Sequence, residues 1–427
     1  MMRRCTMALL ALLVAASVAF AAGEAEQAGA EGGTVNVYVG LGGIDTAEEV
    51  IALYEERNPD VEVNLIRGPS TWADHVSRTT LWMRNQFAGV DVLYHDDSIT
   101  MDGVDAEAWV NLSDHLDQAV VDDLVGLQRE FLELHGGMYR MPWWNGISYL
   151  YYRTDLFEES GVDIPETWDE LLVAAEELTL DTDGDGDLDQ WGYLTQGGAG
   201  EMYNNFIEFL MQAGGEQLQV AVDGEPTEEA VEALTMMRDL LRASAPEDLS
   251  EIDYNQSRAL FREGRVAMLR DWGSMGTFAV EEGLEDVIGV MPFPAGPAGS
   301  YGIGDSWGLV VNRYGSNYQQ TPEVVMDFIR FFADPEVHKM TASLQAPAFR
   351  TVLNDEAFME ELGEQNLAVR RFDEFIDDRL PRDFPPGTAV EYLTGVGEIV
   401  NRYLLGSQSP EDTAIELQEH IDDMLGQ

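Results

Sequence analysis

The sequence is short of cysteine, of lysine and of positive charge in general. Its 427 residues include one cysteine, Cys5, and one lysine, Lys339. Lysine and arginine together number 24 against 79 aspartates and glutamates, so the formal net charge is −55 at pH 7. A surface of this sign repels phosphate backbones and anionic lipids, which excludes nucleic acids and anionic membranes as partners. Many carboxylates with almost no lysine are typical of a halophilic acidic surface, because dense salt screens crowded like charges.

The N-terminal segment has the composition of an export signal. Two arginines precede the apolar run Met7–Val18, and a small-x-small cleavage site ends at residue 21. We therefore predict a signal peptide over residues 1–21 and a flexible tether over residues 22–33. The apolar run is too short to cross a bilayer, which argues against a membrane anchor. Cleavage would remove Cys5, which precedes the run, so we expect no disulfide, no thiol nucleophile and no lipid anchor in the exported protein.

The rest of the chain has the composition of a globular protein with an alternating order of strands and helices. Hydrophobic residues make up 45% of the sequence, enough for packed cores in two or three lobes. Alternation predicts strands at Thr34–Val39, Val61–Ile66 and Val90–Tyr94. Between them lie helical patterns, one opened by an apparent capping box at Asp45–Glu48 and one over Trp72–Gln86. This β-α-β-α-β order predicts an α/β fold with a parallel sheet, whose ligands bind beyond the carboxyl ends of the strands.

Three later signals mark further elements. Pro142 divides Met138–Arg153 into two strand-like pieces, because proline cannot donate to a sheet. Thr167–Glu170 has the form of a capping box at the start of a helix. Ser409 followed by Pro410 predicts the N-cap and first residue of the last helix.

Short segments spread along nearly the whole chain after residue 33 resemble one family. They are Leu53–Asp60, Asp91–Tyr94, Gly137–Pro142, Tyr149–Tyr152, Pro165–Leu171, Phe261–Met268, Asp271–Gly273, Gly289–Pro294, Asp305–Gly308 and Phe328–Pro335. In order and spacing they resemble the extracellular solute-binding proteins of ABC sugar importers, the maltose-binding-protein-like family 1.

The resemblance implies a two-lobe periplasmic-binding-protein fold with an interlobe ligand cleft and hinge crossings. Lobe 1 would comprise residues 34–142 plus 303–345, and lobe 2 residues 143–302 plus 346–427. The implied function is an exported receptor, monomeric and periplasmic or extracytoplasmic, that captures a mono- or oligosaccharide and delivers it to the membrane permease subunits of an ABC transporter. No catalysis and no organic cofactor are implied.

A sugar site needs aromatic planes for C–H faces and polar side chains for hydroxyl groups. The candidates lie at strand ends and at the implied crossings. They are Trp72, Asp96, Trp143, Trp144, Asn145, Trp272, Asp305, Trp307 and Arg350. Packing in the core accounts for each tryptophan equally well, and Trp143 and Trp144, being adjacent in an extended segment, point to opposite faces. For Arg350 the alternative is a surface ion pair.

The acidic segment Asp181–Asp189 is the sharpest local motif. Asp181, Asp183, Asp185, Asp187 and Asp189 occupy positions 1, 3, 5, 7 and 9 of an EF-hand-type loop, with Gly186 at the turn. This spacing predicts a structural Ca²⁺ site. Gly192 stands where the usual loop has a bidentate Glu, and a solvated acidic loop is the alternative.

Catalytic patterns are poorly matched. Gly273-Ser274 lacks the preceding glycine of a nucleophile elbow, and the histidines contain no HExxH motif. Two rivals to the sugar receptor stay open from the sequence. One is a secreted glycoside hydrolase or lyase, since carboxylate pairs are uninformative in so acidic a chain. The other is a binding protein for another small solute, such as a polyamine.

Overall fold

A computed structural model describes residues 32–126, 128–129, 136–246, 249–342, 345–372, 379–385 and 387–426. The predicted signal peptide and most of the predicted tether lie outside the described residues. Among the helices of the described part, none combines the length and the apolar character needed to cross a membrane.

The elements alternate between strand and helix along most of the chain. The strands are β1 (Gly33–Val39), β2 (Val61–Arg67), β3 (Val92–His95), β4 (Arg140–Arg153), β5 (Trp191–Leu194), β6 (Ala221–Val222), β7 (Glu225–Pro226), β8 (Val266–Trp272), β9 (Ile288–Met291), β10 (Gly302–Val311) and β11 (Arg379–Pro381). The α-helices of the described residues are α1 (Ile44–Arg57), α2 (Trp72–Arg84), α3 (Asp97–Asp105), α4 (Gln118–Asp122), α5 (Thr154–Ser160), α6 (Trp168–Glu177), α7 (Ala199–Ala213), α8 (Glu228–Ser244), α9 (Tyr254–Arg262), α10 (Ser274–Glu281), α11 (Ser316–Gln320), α12 (Pro322–Phe331), α13 (Pro335–Thr341), α14 (Arg350–Leu353), α15 (Glu356–Gln365), α16 (Ala389–Leu405) and α17 (Pro410–Leu425).

One mixed sheet runs through the molecule in the order β2-β1-β3-β10-β4-β8-β5, with β9 beside β4 and β11 beside β10. β1 is parallel to both β2 and β3, so the β-α-β-α-β prediction is confirmed. β10 enters antiparallel between β3 and β4. Hydrogen bonds therefore connect the N-terminal parallel strands to those in the middle of the chain through β10.

Two of the predicted helix starts are confirmed and one is wrong. Thr167 and Glu170 form a capping box, and Ser409 caps α17 with Pro410 at its first position. The capping box at Asp45–Glu48 does not form, because a 3-10 turn precedes α1 and places the N-cap at Gly43.

The expected break at Pro142 is also absent, since β4 runs unbroken for 14 residues. Its pairing with β10 shifts register between Trp307 and Gly308, and Pro142 lies opposite Gly308 at this irregularity. A strand accommodates proline where the ladder is already disrupted, because the missing N–H costs little there.

The buried apolar side chains form two large cores. The first core takes its side chains from residues 35–144 and 307–352. The second core takes most of its side chains from residues 147–303 and 367–421. The two cores meet along β4 and β10, where Trp144 and Trp307 belong to the first core and Ile147 and Ile303 to the second.

Three histidines of the described residues are fully buried. His75 and His95 approach each other with ring nitrogens 3.2 Å apart, and the His338 ring lies against Phe349 with centroids 3.8 Å apart. Burial lowers the pKa of His75 to about 4 and that of His338 to about 3, because the interior disfavours the imidazolium. Desolvation also holds the pKa of His95 well below its ordinary value.

Acid should therefore destabilise the fold. An unfolded histidine binds a proton near pH 6.5, whereas these buried rings bind one only at much lower pH, so stability is lost as pH falls below about 6.5. We expect His338→Leu to reduce the difference in unfolding free energy between pH 7 and pH 4.5 by about 2 kcal/mol. Urea unfolding at the two pH values measures it.

The half-exposed His115 provides the control, since His115→Leu should keep the wild-type pH dependence. Raised carboxyl pKa values at Asp102 and Asp305 act in the opposite direction, so variant and wild type must be compared at each pH. An unchanged pH dependence in His338→Leu would contradict the prediction.

Candidate functional site

The carboxyl end of β3 leads into α3 through Asp96, a buried residue that caps this helix. Asp96 Oδ1 accepts hydrogen bonds from the Ile99 amide at 3.0 Å and from Ser98 Oγ at 2.8 Å. Its other oxygen, Oδ2, accepts a hydrogen bond from Trp72 Nε1 at 3.0 Å. The capping contacts fix the carboxylate, and the carboxylate in turn orients the indole. Two of the predicted site residues are thus in direct contact.

β10 contributes a second pair of an indole and a carboxylate. Trp307 Nε1 donates to Asp305 Oδ2 at 3.2 Å. The ring of Trp144, opposite Trp307 in the β4–β10 register, stacks on it with centroids 5.8 Å apart and an interplanar angle of 29°. Three more predicted residues therefore lie together, close to where the two cores meet.

Asp305 is held in an environment that opposes its charge. It is 8% exposed, and its Oδ1 has no hydrogen-bond partner among the residues that the structure describes. Burial, together with the negative charge of Asp96, raises the pKa of Asp305 to about 7. An added Cβ on Gly146 would lie 1.7 Å from this Oδ1 atom. The carboxyl therefore needs a glycine on β4.

The second core contributes a third pair of an indole and a carboxylate. Trp272, the last residue of β8, donates from Nε1 to Tyr254 Oη at 2.8 Å and to Glu201 Oε2 at 3.2 Å. Arg270 Nη1 also donates to Glu201 Oε2, at 3.0 Å, and the guanidinium lies 4.7 Å from the centroid of the Trp272 ring. Burial alone would lower the pKa of Arg270, but the charges of Glu208 and Glu201 raise it overall.

Side chains from the two cores meet in one buried region. The Arg382 guanidinium lies 3.9 Å from a carboxylate oxygen of Asp96 and 3.9 Å from one of Asp305. A Cβ on Gly200, at the start of α7, would lie 3.7 Å from the ring of Trp72. Desolvation lowers the pKa of Arg382 to about 10. We call this region the junction site; it comprises Trp72, Asp96, Trp144, Glu201, Trp272, Asp305, Trp307 and Arg382.

Three predicted site residues lie elsewhere. Trp143 is buried in the first core, where its ring packs against Tyr94 and Phe332. Both polar atoms of the Asn145 side chain already have hydrogen-bond partners in the protein. Its Oδ1 accepts from Gln128 Nε2 at 2.7 Å, and its Nδ2 donates to the Pro347 carbonyl at 2.8 Å. Arg350 is exposed. The structure does not bring Arg350 into the junction site.

Three residues at or beside the junction site went unrecognised in the sequence. Arg270 carried a usable signal, because a charged residue within the mostly apolar strand β8 must be paired when it is buried. Glu201 has the appearance of any acid in the first turn of a helix. Arg382 lies in an irregular segment, where its burial follows only from long-range packing.

The acidic loop folds around its own carboxylates. Asp181 accepts hydrogen bonds from the amides of Gly184 and Gly186 at 2.6 and 2.9 Å, and Asp189 accepts from the Thr182 amide at 2.9 Å. One ligand atom each from Asp181, Asp183 and Asp189 lie within 4.8 Å of one another. Hydrogen bonds from Thr182 hold the pKa of Asp189 below its ordinary value.

The other two aspartates of the loop, Asp185 and Asp187, are exposed and lie outside that group of three. Asp185 Oδ1 accepts from the Asp187 amide at 2.9 Å. The loop therefore has the turns of a cation loop, with three of its five carboxylates converging.

One sheet runs through two apolar cores, and a polar site lies where the two cores meet. This architecture is that of a periplasmic-binding-protein fold, as predicted. The sequence profile described as "Bacterial extracellular solute-binding protein" matches residues 42–339. Because the match covers more than half of the chain, the chain belongs to this family. Membership of a solute-binding family confirms the prediction of a binding protein rather than an enzyme.

Solved structures with this fold are similar over almost the whole chain. Maltose-bound MalE3 of T. maritima has a TM-score of 0.79 at 22% identity, covering 92% of this chain and 100% of that one. A solute-binding protein of Agrobacterium radiobacter K84, in complex with ribitol, has a TM-score of 0.76 at 20% identity, covering 93% of this chain and 100% of that one.

Curated relatives match a shorter part of the chain. A probable ABC transporter-binding protein of Deinococcus radiodurans is 29% identical over 231 residues, 52% of this chain and 53% of that protein. The mannitol-binding protein of Pseudomonas aeruginosa is 30% identical over 195 residues, 44% of this chain and 43% of that protein. The chain thus spans about half the length of the curated relatives it matches.

The contact between Gly146 and Asp305 yields a prediction about the site. Gly146→Ala should lower the free energy of unfolding by about 2 kcal/mol, because the new methyl group collides with a buried carboxyl. In an Asp305→Ala background the same change should cost at least about 1 kcal/mol less. Urea unfolding of the two single variants and the double variant measures this coupling.

Gly42→Ala is the matched control, since a Cβ there meets no atom within 4 Å. Its stability should stay within about 0.5 kcal/mol of the wild type. An equal cost of Gly146→Ala in both backgrounds would contradict the assigned contact.

Proposed function

We propose that this protein is the receptor of an ABC importer for a neutral polyhydroxylated molecule, a sugar or a sugar alcohol, bound in a cleft between two lobes. The observation that carries the proposal is the junction site, where three pairs of an indole and a carboxylate converge from both cores. Their carboxylates are already oriented by indole N–H groups and suit ligand hydroxyl groups as acceptors, and the indoles offer apolar surface for C–H faces. Related proteins are described as bound to maltose, ribitol and D-mannitol.

The two lobes would be those expected from the sequence, residues 34–142 with 303–345 and residues 143–302 with 346–427. The separation of the two apolar cores supports this division. Trp143, Trp144 and Phe349, which the expected boundaries assign to lobe 2, pack with the first core. The packing therefore supports lobe boundaries that lie a few residues further along the chain. The hinge would then lie where β4 and β10 pass between the cores.

The transport role supplies the remaining proposals. Export would follow cleavage of the predicted signal peptide after residue 21, without a lipid anchor. The closed lobes of a monomer would then deliver the sugar to membrane permease subunits. The acidic surface supports a halophilic habitat, in which the proposed binding takes place at high salt.

The junction tryptophans generate a binding prediction. Ligands for a thermal-shift screen are maltose, ribitol, D-mannitol and tagatose, with spermidine to represent polyamines. For the sugar that binds, Trp272→Ala and Trp307→Ala should each weaken affinity about tenfold, on the order of 1.4 kcal/mol, because an aromatic plane is lost from the site. Calorimetry measures the affinity.

Trp191→Ala is the control, since that indole packs under Arg265 beside the acidic loop. Its affinity should match that of the wild type. Wild-type affinity in both Trp272→Ala and Trp307→Ala would contradict the proposed cleft, and turnover of any sugar would contradict a receptor. A response to spermidine alone would overturn the assignment of a neutral ligand.

We also propose that Asp181–Asp189 holds a structural Ca²⁺ ion. The convergence of Asp181, Asp183 and Asp189 supports it, together with the loop spacing. The backbone carbonyl of residue 187 would complete the set in the manner of position 7. Five neighbouring carboxylates repel one another strongly unless a cation lies among them.

Chelation should then lower the melting temperature by about 5 °C at fixed ionic strength. Ca²⁺ should restore the melting temperature better than Mg²⁺, because the smaller ion demands stricter octahedral geometry. Asp183→Asn combined with Asp185→Asn should abolish the response and leave sugar affinity unchanged. The double variant Glu158→Gln, Glu159→Gln, at exposed positions of α5, should retain the response. A wild type that is indifferent to the chelator would identify a merely solvated loop.

A further inference from the structure

Helix α3 continues directly from β3 of the first core, and it also contacts the second core. Met101 packs into the second core. Asp97 and Asp102 form hydrogen bonds with the segment that runs from Arg382 into α16. This segment is anchored in the second core through Phe384 and Ala389. α3 is therefore a direct connection between the two packing units.

The first contact is a buried ion pair. Arg382 Nε donates to Asp97 Oδ2 at 3.1 Å, and Arg382 Nη2 donates to Asp97 Oδ1. Arg382 Nη1 reaches Asn204 Oδ1 of α7 at 3.4 Å. Asp97 is 3% exposed and Arg382 7%. A bidentate pair of this kind is strong when it is dry, and both groups regain water if the two sides separate.

The second contact caps a helix from another part of the chain. Asp102 Oδ1 accepts from the Ala389 amide at 2.7 Å, and Oδ2 accepts from the Val390 amide at 3.3 Å. These are the first two amides of α16. Its own N-cap residue, Thr388, makes no side-chain capping bond within the described chain. A carboxylate at this end satisfies amides that the helix leaves unpaired and complements its dipole.

We propose that α3 is a latch, in which Asp97 and Asp102 hold the two lobes closed and so slow the release of bound ligand. The inference rests on the proposed function, because it takes the two cores to be lobes on either side of a ligand cleft. Opening breaks both contacts together, since Arg382 and the start of α16 lie on one continuous segment. Asp97 and Asp102 act as positioning residues that favour closure.

The geometry offers a reporter of closure that needs no ligand. A Cβ on Gly387 would lie 3.6 Å from the Cβ of Asp105, within the range of a disulfide. Asp105→Cys with Gly387→Cys, in a chain carrying Cys5→Ala, contains no other cysteine. Gly387 has a φ of +72°, so cysteine there costs some stability, equally in every variant compared. The rate of disulfide formation then reports how often the lobes are closed.

In this background, Asp102→Ala should slow disulfide formation at least fivefold at temperatures well below its melting temperature. The paired change Asp97→Asn with Arg382→Gln should do the same without leaving an uncompensated buried charge. Arg382→Lys keeps the charge but loses the bidentate guanidinium, so its rate of disulfide formation should lie between those of these variants and that of the wild type. Glu107→Gln, at an exposed side chain just beyond α3, should leave the rate unchanged.

Wild-type rates in the Asp102→Ala and paired variants, with or without a lowered melting temperature, would overturn the latch and leave only a packing role. If circular dichroism shows that one variant fails to fold, the rates of disulfide formation in the other variants decide between a latch and a packing role. With maltose as the probe, the oxidised protein should exchange ligand at least tenfold more slowly than the reduced protein. Failure of every form to bind maltose would count against that ligand, whereas the disulfide rates still test the latch.

Discussion

The antiparallel pairing of β4 with β10 is the constraint on which the rest of the molecule depends. These two strands pass through both cores, and every residue of β10 is buried. Their register places Trp144 against Trp307 and Gly146 against Asp305. Asp305 and the stacked indoles of Trp144 and Trp307 are therefore mounted on hydrogen-bonded strands rather than on loops. A site on such a rigid support keeps its acceptors oriented before a ligand arrives.

Charge distribution inside the protein differs from that on its surface. The chain has few basic residues, yet three arginines, Arg258, Arg270 and Arg382, are placed at or beside the junction, each paired with carboxylates. An unpaired carboxylate in this interior would be costly, so arginines and indole N–H groups are needed to hold the acids in place. The same arrangement couples the two cores, because Arg382 lies near the carboxylates of Asp96 and Asp97, which follow β3, and near that of Asp305 on β10. Electrostatic contacts therefore link the two cores at the proposed ligand site.

Local patterns in the sequence were sufficient for the elements and for much of the fold. The parallel arrangement of β1, β2 and β3, the capping box at Thr167 and the Ser409 cap are all present. Each depends on residues close in sequence or on the general geometry of β-α-β units. The failures at Asp45 and Pro142 have different causes, since a 3-10 turn directly precedes α1 and the pairing of β4 with β10 shifts register opposite Pro142.

For the site, the sequence by itself determined the pairs that arise from short-range geometry. Asp305 and Trp307 are two residues apart on one strand and so share a face, and Asp96 follows a strand whose carboxyl end faces the start of α2. Only the tertiary structure decided that Glu201 meets Trp272, that Arg382 reaches Asp97, and that Asp102 caps α16. Those partners are separated by 71, 285 and 287 residues. No local periodicity carries information about such contacts, because they join segments that only the packing within and between the two cores brings together.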